Sequence, residues 1–321
     1  MITVQSLTKS FGPKLAVNRV SFSVEKGEVL GFLGPNGAGK STTMRMITGF
    51  IPPTSGTVRV GPHDMLLEPI QAKRLLGYLP ENAPAYNDMT VYGFLSFAAE
   101  LRGMRGDARK RAVHRVVEIC FLDAVLHQSV DTLSKGFRHR TCFAQSILHD
   151  PDVLIMDEPT DGLDPNQKHE VRQLIRRMGE KKAIVFSTHI LEEVEAACTR
   201  AIIIDRGQIV ANGTPEELKQ RSVVAGAVLV RAAGVPATTL AARIGQLPTA
   251  RKTVPATDRG NGDTLRVFPQ AAGRDGALAR EVAEVAAREG WKLEELHTEE
   301  GRLDEVFRSI TQPETSRGGN S

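Results

Sequence analysis

The chain has 321 residues, 41% of them hydrophobic, 25% charged and 5% aromatic, with a formal net charge of +3. That length suits about two domains, and the small net charge gives no case for a nucleic-acid-binding surface. No apolar run approaches the ~20 residues of a membrane-spanning helix, and Met1–Gln5 alternates like a strand, without a signal-peptide pattern. Cys120, Cys142 and Cys198 are scattered without CxxC spacing, as expected of small buried hydrophobes in a reducing cytosol. The eight histidines include no HExxH-type metal spacing.

Residues 1 to about 220 alternate strand-like and helix-like segments, which predicts an α/β fold with a largely parallel core sheet. Strands are expected at Ile2–Leu7, Val20–Val24 and Glu28–Leu33. Directly after the third comes Gly34-Pro35-Asn36-Gly37-Ala38-Gly39-Lys40-Ser41, which fits G-x-x-x-x-G-K-[ST], and Thr42–Thr48 can continue as a helix. Strand, glycine loop and helix together make an anion trap, because free backbone N–H groups and the positive helix end point at one spot. Glycines let the backbone wrap a phosphate closely. Lys40 can reach the β- and γ-phosphates, and the Ser41 hydroxyl can bind Mg²⁺.

Further strands are expected at Thr57–Val60, Val153–Met156, Ala183–Ser187 and Arg200–Ile204, with Val91–Leu126 mainly helical. Leu133-Ser134-Lys135-Gly136-Phe137-Arg138 opens a helix over Arg138–Leu148 and offers a second anion site. One nucleotide does not need two such sites from one chain, so the second is expected to serve a partner's nucleotide. Val153-Leu154-Ile155-Met156 is a buried strand that ends in Asp157-Glu158. Ligands sit at that end of a parallel sheet. Asp157 suits a metal held from a second shell, and Glu158 suits the orientation and deprotonation of an attacking water. Ile184–Thr188 is another apolar strand whose end, His189, falls on the same sheet edge, within reach of a γ-phosphate.

Thr214-Pro215-Glu216-Glu217 caps a last helix of this region. From Ser222 the composition shifts to aliphatic and small residues. Ala227–Arg231, Ala237–Ile244, Thr264–Phe268, Gly276–Glu289 and Trp291–Leu296 read as strand, helix, strand, helix, strand, followed by an amphipathic helix at Arg302–Ile310.

With these motifs in this order, residues 1 to about 220 resemble the nucleotide-binding subunit of an ABC transporter. Gly34–Ser41 is similar to the Walker A loop, Leu79-Pro80-Glu81 to the Q-loop with Glu81 for glutamine, and Leu133–Arg138 to the LSGGQ signature. Val153–Glu158 resembles Walker B, Gly162-Leu163-Asp164 the D-loop, and His189 the switch histidine. The resemblance implies an α/β P-loop NTPase cassette with a mainly parallel core sheet, a helical subdomain at about 85–150 and a small C-terminal α+β domain. The implied boundaries are 1–221, 222–311 and a disordered tail at 312–321.

It further implies ATP and Mg²⁺ as cofactors. Glu158 and His189 would be catalytic, and Ser41, Glu81 and Asp157 would attend the metal. Phe11 would stack on adenine beside Val17, and Gly34–Thr42 would hold the phosphates. Ser134, Gly136 and Asp164 would act across a head-to-tail dimer, on the partner's nucleotide. The implied partners are a second ATP-binding subunit and a separate transmembrane permease, placing the chain peripherally at the cytoplasmic face of the inner membrane, with no nucleic acid. Lys135 replaces the first signature glycine, at a strain cost if that position needs φ > 0. Lys135, Glu81 and the acidic C-terminal segments resemble the ABC-2 exporter branch, which includes gliding-motility-associated subunits. Two alternatives remain: a soluble ABC-type ATPase acting on nucleic acid or ribosomes, disfavoured by one P-loop, no sustained heptads and no basic run, and a catalytically weak regulatory module.

Overall fold

A computed structural model describes residues 1–82, 84–256, 263–270 and 276–311. The tail expected at 312–321 lies outside the described residues. The chain divides into two compact units, Met1–Pro215 and Glu216–Ser321.

The first unit is built on a six-stranded sheet in the order β10-β9-β3-β8-β7-β6. Its strands are β3 (Val29–Leu33), β6 (Leu76–Leu79), β7 (Val153–Asp157), β8 (Ala183–Thr188), β9 (Arg200–Asp205) and β10 (Gln208–Gly213). All neighbours are parallel except β9 and β10. Every residue of β3, β7 and β8 is buried, as expected of parallel strands covered on both faces. Alternation along β7 sends Val153 and Ile155 into one core and Leu154 and Met156 into another.

The first core lies against α1 (Lys40–Ile47) and against an antiparallel sheet of β1 (Ile2–Phe11), β2 (Lys14–Val24), β4 (Ser55–Val60) and the short β5 (His63–Asp64), followed by α2 (Pro69–Arg74). The second core joins α3 (Val91–Leu101), α4 (Gly106–Ile119), α5 (Lys135–Ile147) and α6 (Pro165–Gly179), through Phe94, Leu95, Val116, Phe143 and Ile175. Each such side chain contributes about 1.5–3 kcal/mol on burial. α7 (Leu191–Ala197) leads into β9.

After α8 (Pro215–Lys219), the second unit runs β11 (Val228–Ala232), α9 (Ala237–Ile244), β12 (Ala250–Pro255), β13 (Leu265–Pro269), α10 (Ala277–Arg288), β14 (Leu293–Thr298) and α11 (Leu303–Thr311). Its antiparallel sheet has the order β12-β13-β11-β14. Before α11 this is a βαββαβ unit of the ferredoxin-like type, with Val228, Val230, Leu240, Leu265 and Val282 in its core.

Four strands exceed the sequence reading, the first being the two-residue β5. Leu76–Leu79 is short, Gln208–Gly213 alternates weakly, and β12 carries Arg251 and Lys252 exposed at a sheet edge, so none presents a long apolar run. α5 also begins earlier than expected, at Lys135, with Ser134 as its N-cap.

Candidate active site

Gly34–Ser41 links β3 to α1, and close packing dictates its glycines. A Cβ on Gly34 would lie 2.5 Å from the Ile204 carbonyl oxygen. Gly39 has φ +107°, and a Cβ there would meet the Ala16 carbonyl oxygen at 2.6 Å. Lys40 is 5% exposed. Its Nζ donates to the carbonyls of Gly34 (2.7 Å) and Pro35 (3.3 Å) and lies 3.5 Å from Glu158 Oε1. The loop is braced internally by the Ala38 N–H donating to the Pro35 carbonyl at 3.1 Å.

The carboxylates leave the end of β7 beside this loop. Asp157 is 1% exposed, and its Oδ1 accepts from Ser187 Oγ at 2.5 Å and Ser41 Oγ at 3.1 Å. Its Oδ2 is buried with no hydrogen-bond partner among the described residues. A buried acceptor without a donor, next to a P-loop hydroxyl, fits a cation site: Ser41 and Asp157 could hold Mg²⁺ beside a nucleotide, with Glu81 on the same cleft. Burial, and then the charge of Asp157, push the nearby Tyr78 hydroxyl up to about 12.

Glu158 sits at φ +50°, a left-handed conformation that costs a non-glycine residue roughly 1–3 kcal/mol. The Ser187 carbonyl and hydroxyl accept from its N–H at 3.2 and 3.1 Å, which hold the turn. Glu158 Oε2 lies 2.9 Å from His189 Nδ1, with the His189 side chain 48% exposed. A cleft of about 350 Å³ is lined by Phe11, Lys14, Ala16, Asn36, Gly37, Gly39, Lys40, Ser41, Thr42, Glu81 and Glu158. Phe11 is 50% exposed there, with Lys9 Nζ 5.1 Å from its ring centroid.

Val17 does not face this cleft. It is fully buried, and one of its methyls lies 3.4 Å from where a Gly39 Cβ would be, so it supports the loop from below while Ala16 and Lys14 take the surface. Strand alternation reverses the expected side. Lys135 is likewise not strained: it occupies the first turn of α5 and is absent from the positive-φ residues.

Ser134, Gly136 and Asp164 are not among the cleft-lining residues. Ser134 Oγ accepts from the Phe137 N–H at 3.3 Å, and Asp164 Oδ1 accepts from the Gln167 N–H at 2.9 Å. Gly136 is buried against Gln167, whose amide would meet a Cβ at 2.4 Å. Lys135 Nζ pairs with Asp161 Oδ2 at 3.3 Å.

The described residues hold no cluster of three or more His, Cys, Asp or Glu able to bind a metal. A cation held by Ser41 and Asp157 would take further oxygens from a ligand, as phosphate-bound magnesium does. A strand ending in two carboxylates against a P-loop, with a histidine on the next strand, is a nucleotide-hydrolysing arrangement.

The model of the family described as ABC transporter matches residues 17–161. Over 221 residues the chain is 38% identical to the uncharacterized ABC transporter ATP-binding protein YxlF of Bacillus subtilis (strain 168), covering 69% of this chain and 73% of that one. The chain belongs to the ABC transporter ATP-binding proteins. This ABC protein is also 37% identical over 223 residues to the linearmycin resistance ATP-binding protein LnrL of the same organism, covering 69% and 71% of the two chains. A solved ATP binding subunit of an ABC transporter superposes with TM-score 0.64 at 27% identity, over 69% of this chain and 92% of the other. The ABC protein is thus an ATP-binding, ATP-hydrolysing subunit of a transporter. No described helix is long and apolar enough to cross a membrane.

Sequence reasoning missed Ser187, which bonds Asp157 and the Glu158 N–H. Its place at the end of an apolar strand was legible, but not the carboxylate that it bonds.

Proposed function

We propose that this ABC subunit hydrolyses ATP with Glu158 orienting the attacking water and His189 contacting the γ-phosphate. Lys40 and the P-loop amides hold the β- and γ-phosphates. Ser41 and Asp157 would hold Mg²⁺, which would supply neutralisation of developing phosphate charge when bound. Glu81, on the same cleft, could accept a hydrogen bond there but, as a carboxylate, cannot donate as an amide would. Phe11 stacks on the base. The observation that carries the reading is the buried, unpartnered Asp157 Oδ2 beside Ser41, with Glu158 bonded to His189 one residue away. Glu158→Gln should lower turnover about 10³-fold with ATP affinity within about threefold of wild type, the size expected when a water-positioning group is lost. A Gln variant that hydrolyses at the wild-type rate contradicts the assignment.

We further infer a head-to-tail dimer in which Ser134, Gly136 and Asp164 complete the partner's site. Ser134 caps α5 at an exposed position and is not among the residues that line the chain's own cleft. The permease is of the ABC-2 export type and transmembrane, and this subunit sits peripherally at the cytoplasmic face of that membrane. LnrL is named for linearmycin resistance, and a pump confers resistance by moving a compound outward. The docking surface is an apolar groove of about 420 Å³ beside the Q-loop segment, lined by residues that include Tyr86, Phe94, Phe97 and Leu101. Tyr86→Asp with Leu101→Asp should abolish co-purification with a membrane protein of about six helices while leaving basal ATPase activity intact; undiminished co-purification would exclude the groove.

A further inference from the structure

Among the described residues, Glu193 on α7 is the most completely buried carboxylate outside the site already described, with 1% of its surface exposed. Both of its oxygens accept a hydroxyl. Thr160 donates to Oε1, and Thr188 Oγ1 donates to Oε2 at 2.6 Å. The Arg172 guanidinium of α6 stands 3.9 Å from Oε1, close enough to offset charge but too far for a hydrogen bond. Thr188 also accepts from the Ile190 N–H at 3.0 Å. The two hydroxyls therefore belong to two functional segments. Thr160 lies two residues after Glu158, and Thr188 one residue before His189.

These contacts close a ring. It runs from Glu158 through Pro159 to Thr160, across Glu193 to Thr188, along the chain to His189, and back through the 2.9 Å contact between His189 Nδ1 and Glu158 Oε2. Thr160 and Thr188 are themselves buried, at 2% and 0% exposure, so neither can turn to water. Burying a carboxylate is costly, and apolar groups of the same volume often fill such a space with no loss of stability. What apolar groups cannot do is fix two backbone turns at a set separation through two directed bonds. A displacement of about 1 Å at a reacting group can cost roughly 10²-fold in rate.

We propose that Glu193 is a positioning residue for ATP hydrolysis. It ties the turn that carries Glu158 to the strand end that carries His189, and so sets the reach of both groups toward the γ-phosphate. The inference rests on the assignment of Glu158 and His189 given above.

The test uses the purified full chain and magnesium-ATP. Glu193→Ala should lower kcat about tenfold or more, with KM and ATP affinity within about twofold, because Glu193, Thr160 and Thr188 are not among the residues lining the nucleotide cleft. In a His189→Ala background the same substitution should cost about twofold or less, since residues acting as a unit are non-additive. A purely structural carboxylate would give equal losses in both backgrounds, and that result, or a wild-type kcat for Glu193→Ala, overturns the proposal. Should Glu193→Ala not fold, Glu193→Gln and Thr160→Val decide. A lowered kcat at unchanged KM and melting temperature supports the role, and a wild-type kcat in both refutes it. Glu158→Gln measured alongside separates the two claims. If it hydrolyses normally, the site assignment fails and the proposal with it; if it is inactive while the Glu193 and Thr160 variants are normal, the positioning role alone fails.

Discussion

The two units place their buried charges differently. In the first, one set of buried polar groups stands at the carboxyl ends of parallel strands: Asp157 ends β7, and Ser187 and Thr188 end β8. One of them, Asp157 Oδ2, is left without a partner among the described residues. In the second, the buried carboxylate Glu299 is saturated. It accepts from Arg266 Nε at 2.5 Å, from Arg266 Nη2 at 3.1 Å and from Arg302 Nη2 at 3.2 Å. A satisfied ion pair is a structural tie, whereas an unsatisfied acceptor beside a phosphate loop is chemistry awaiting a ligand. The backbone agrees: Glu158 is held at φ +50° at the first site, and strain of this kind collects where function holds it.

A large effect, second to that of Glu158→Gln, is expected at the unsatisfied acceptor. Asp157→Asn should lower turnover at least about 10²-fold and weaken the magnesium dependence of ATP binding, because a metal-facing charge is lost; titration calorimetry with and without magnesium checks it. Lys40→Ala should weaken ATP binding by about 10²-fold, through loss of a buried phosphate-facing cation, and unchanged affinity would refute the P-loop assignment. In the second unit the contrast should invert. Glu299→Ala should destabilise that unit by about 3 kcal/mol, since it removes one partner of a buried ion pair with Arg266. Turnover per folded molecule should not change, and a fall in kcat at full folding would break the distinction between the two regions.

A smaller effect follows from His139, 6% exposed with neither ring nitrogen hydrogen-bonded among the described residues. Burial first, then Lys135, lower its pKa to about 4. The unfolded chain takes up a proton near pH 6.5 and the folded chain does not. Stability contributed by neutral His139 is therefore present above about pH 6.5 and falls as pH drops toward about 4, by up to about 1.4 kcal/mol per pH unit. His139→Gln should flatten that part of the acid limb in denaturant titrations.

Much of the first unit was legible because its chemistry is local. Gly34–Ser41, Asp157-Glu158 and His189 each sit where a strand ends, and a parallel sheet brings such ends to one edge whatever the loops do. The cross-links were not legible. Ser187, Thr160 and Glu193 act through contacts between segments about 30 residues apart, and a hydroxyl or a helix glutamate carries no spacing signal. Val17 misled because adjacent strand residues face opposite ways: a one-residue slip exchanged a core side chain for Ala16 on the cleft. The condition set for strain at Lys135, a positive φ, is not met: inside the first turn of α5 lysine needs no special backbone. In the second unit β12 was hidden by its edge position and its exposed basic residues.

The central claim is that each ATP is held by the P-loop of one subunit and the signature of another. Light scattering of Glu158→Gln with and without magnesium-ATP tests it most directly. The account predicts a monomer that becomes a dimer on adding ATP, and a monomer throughout when Ser134→Arg is added to the same chain. A Glu158→Gln chain that binds ATP and stays monomeric, or a dimer indifferent to Ser134→Arg, would contradict it.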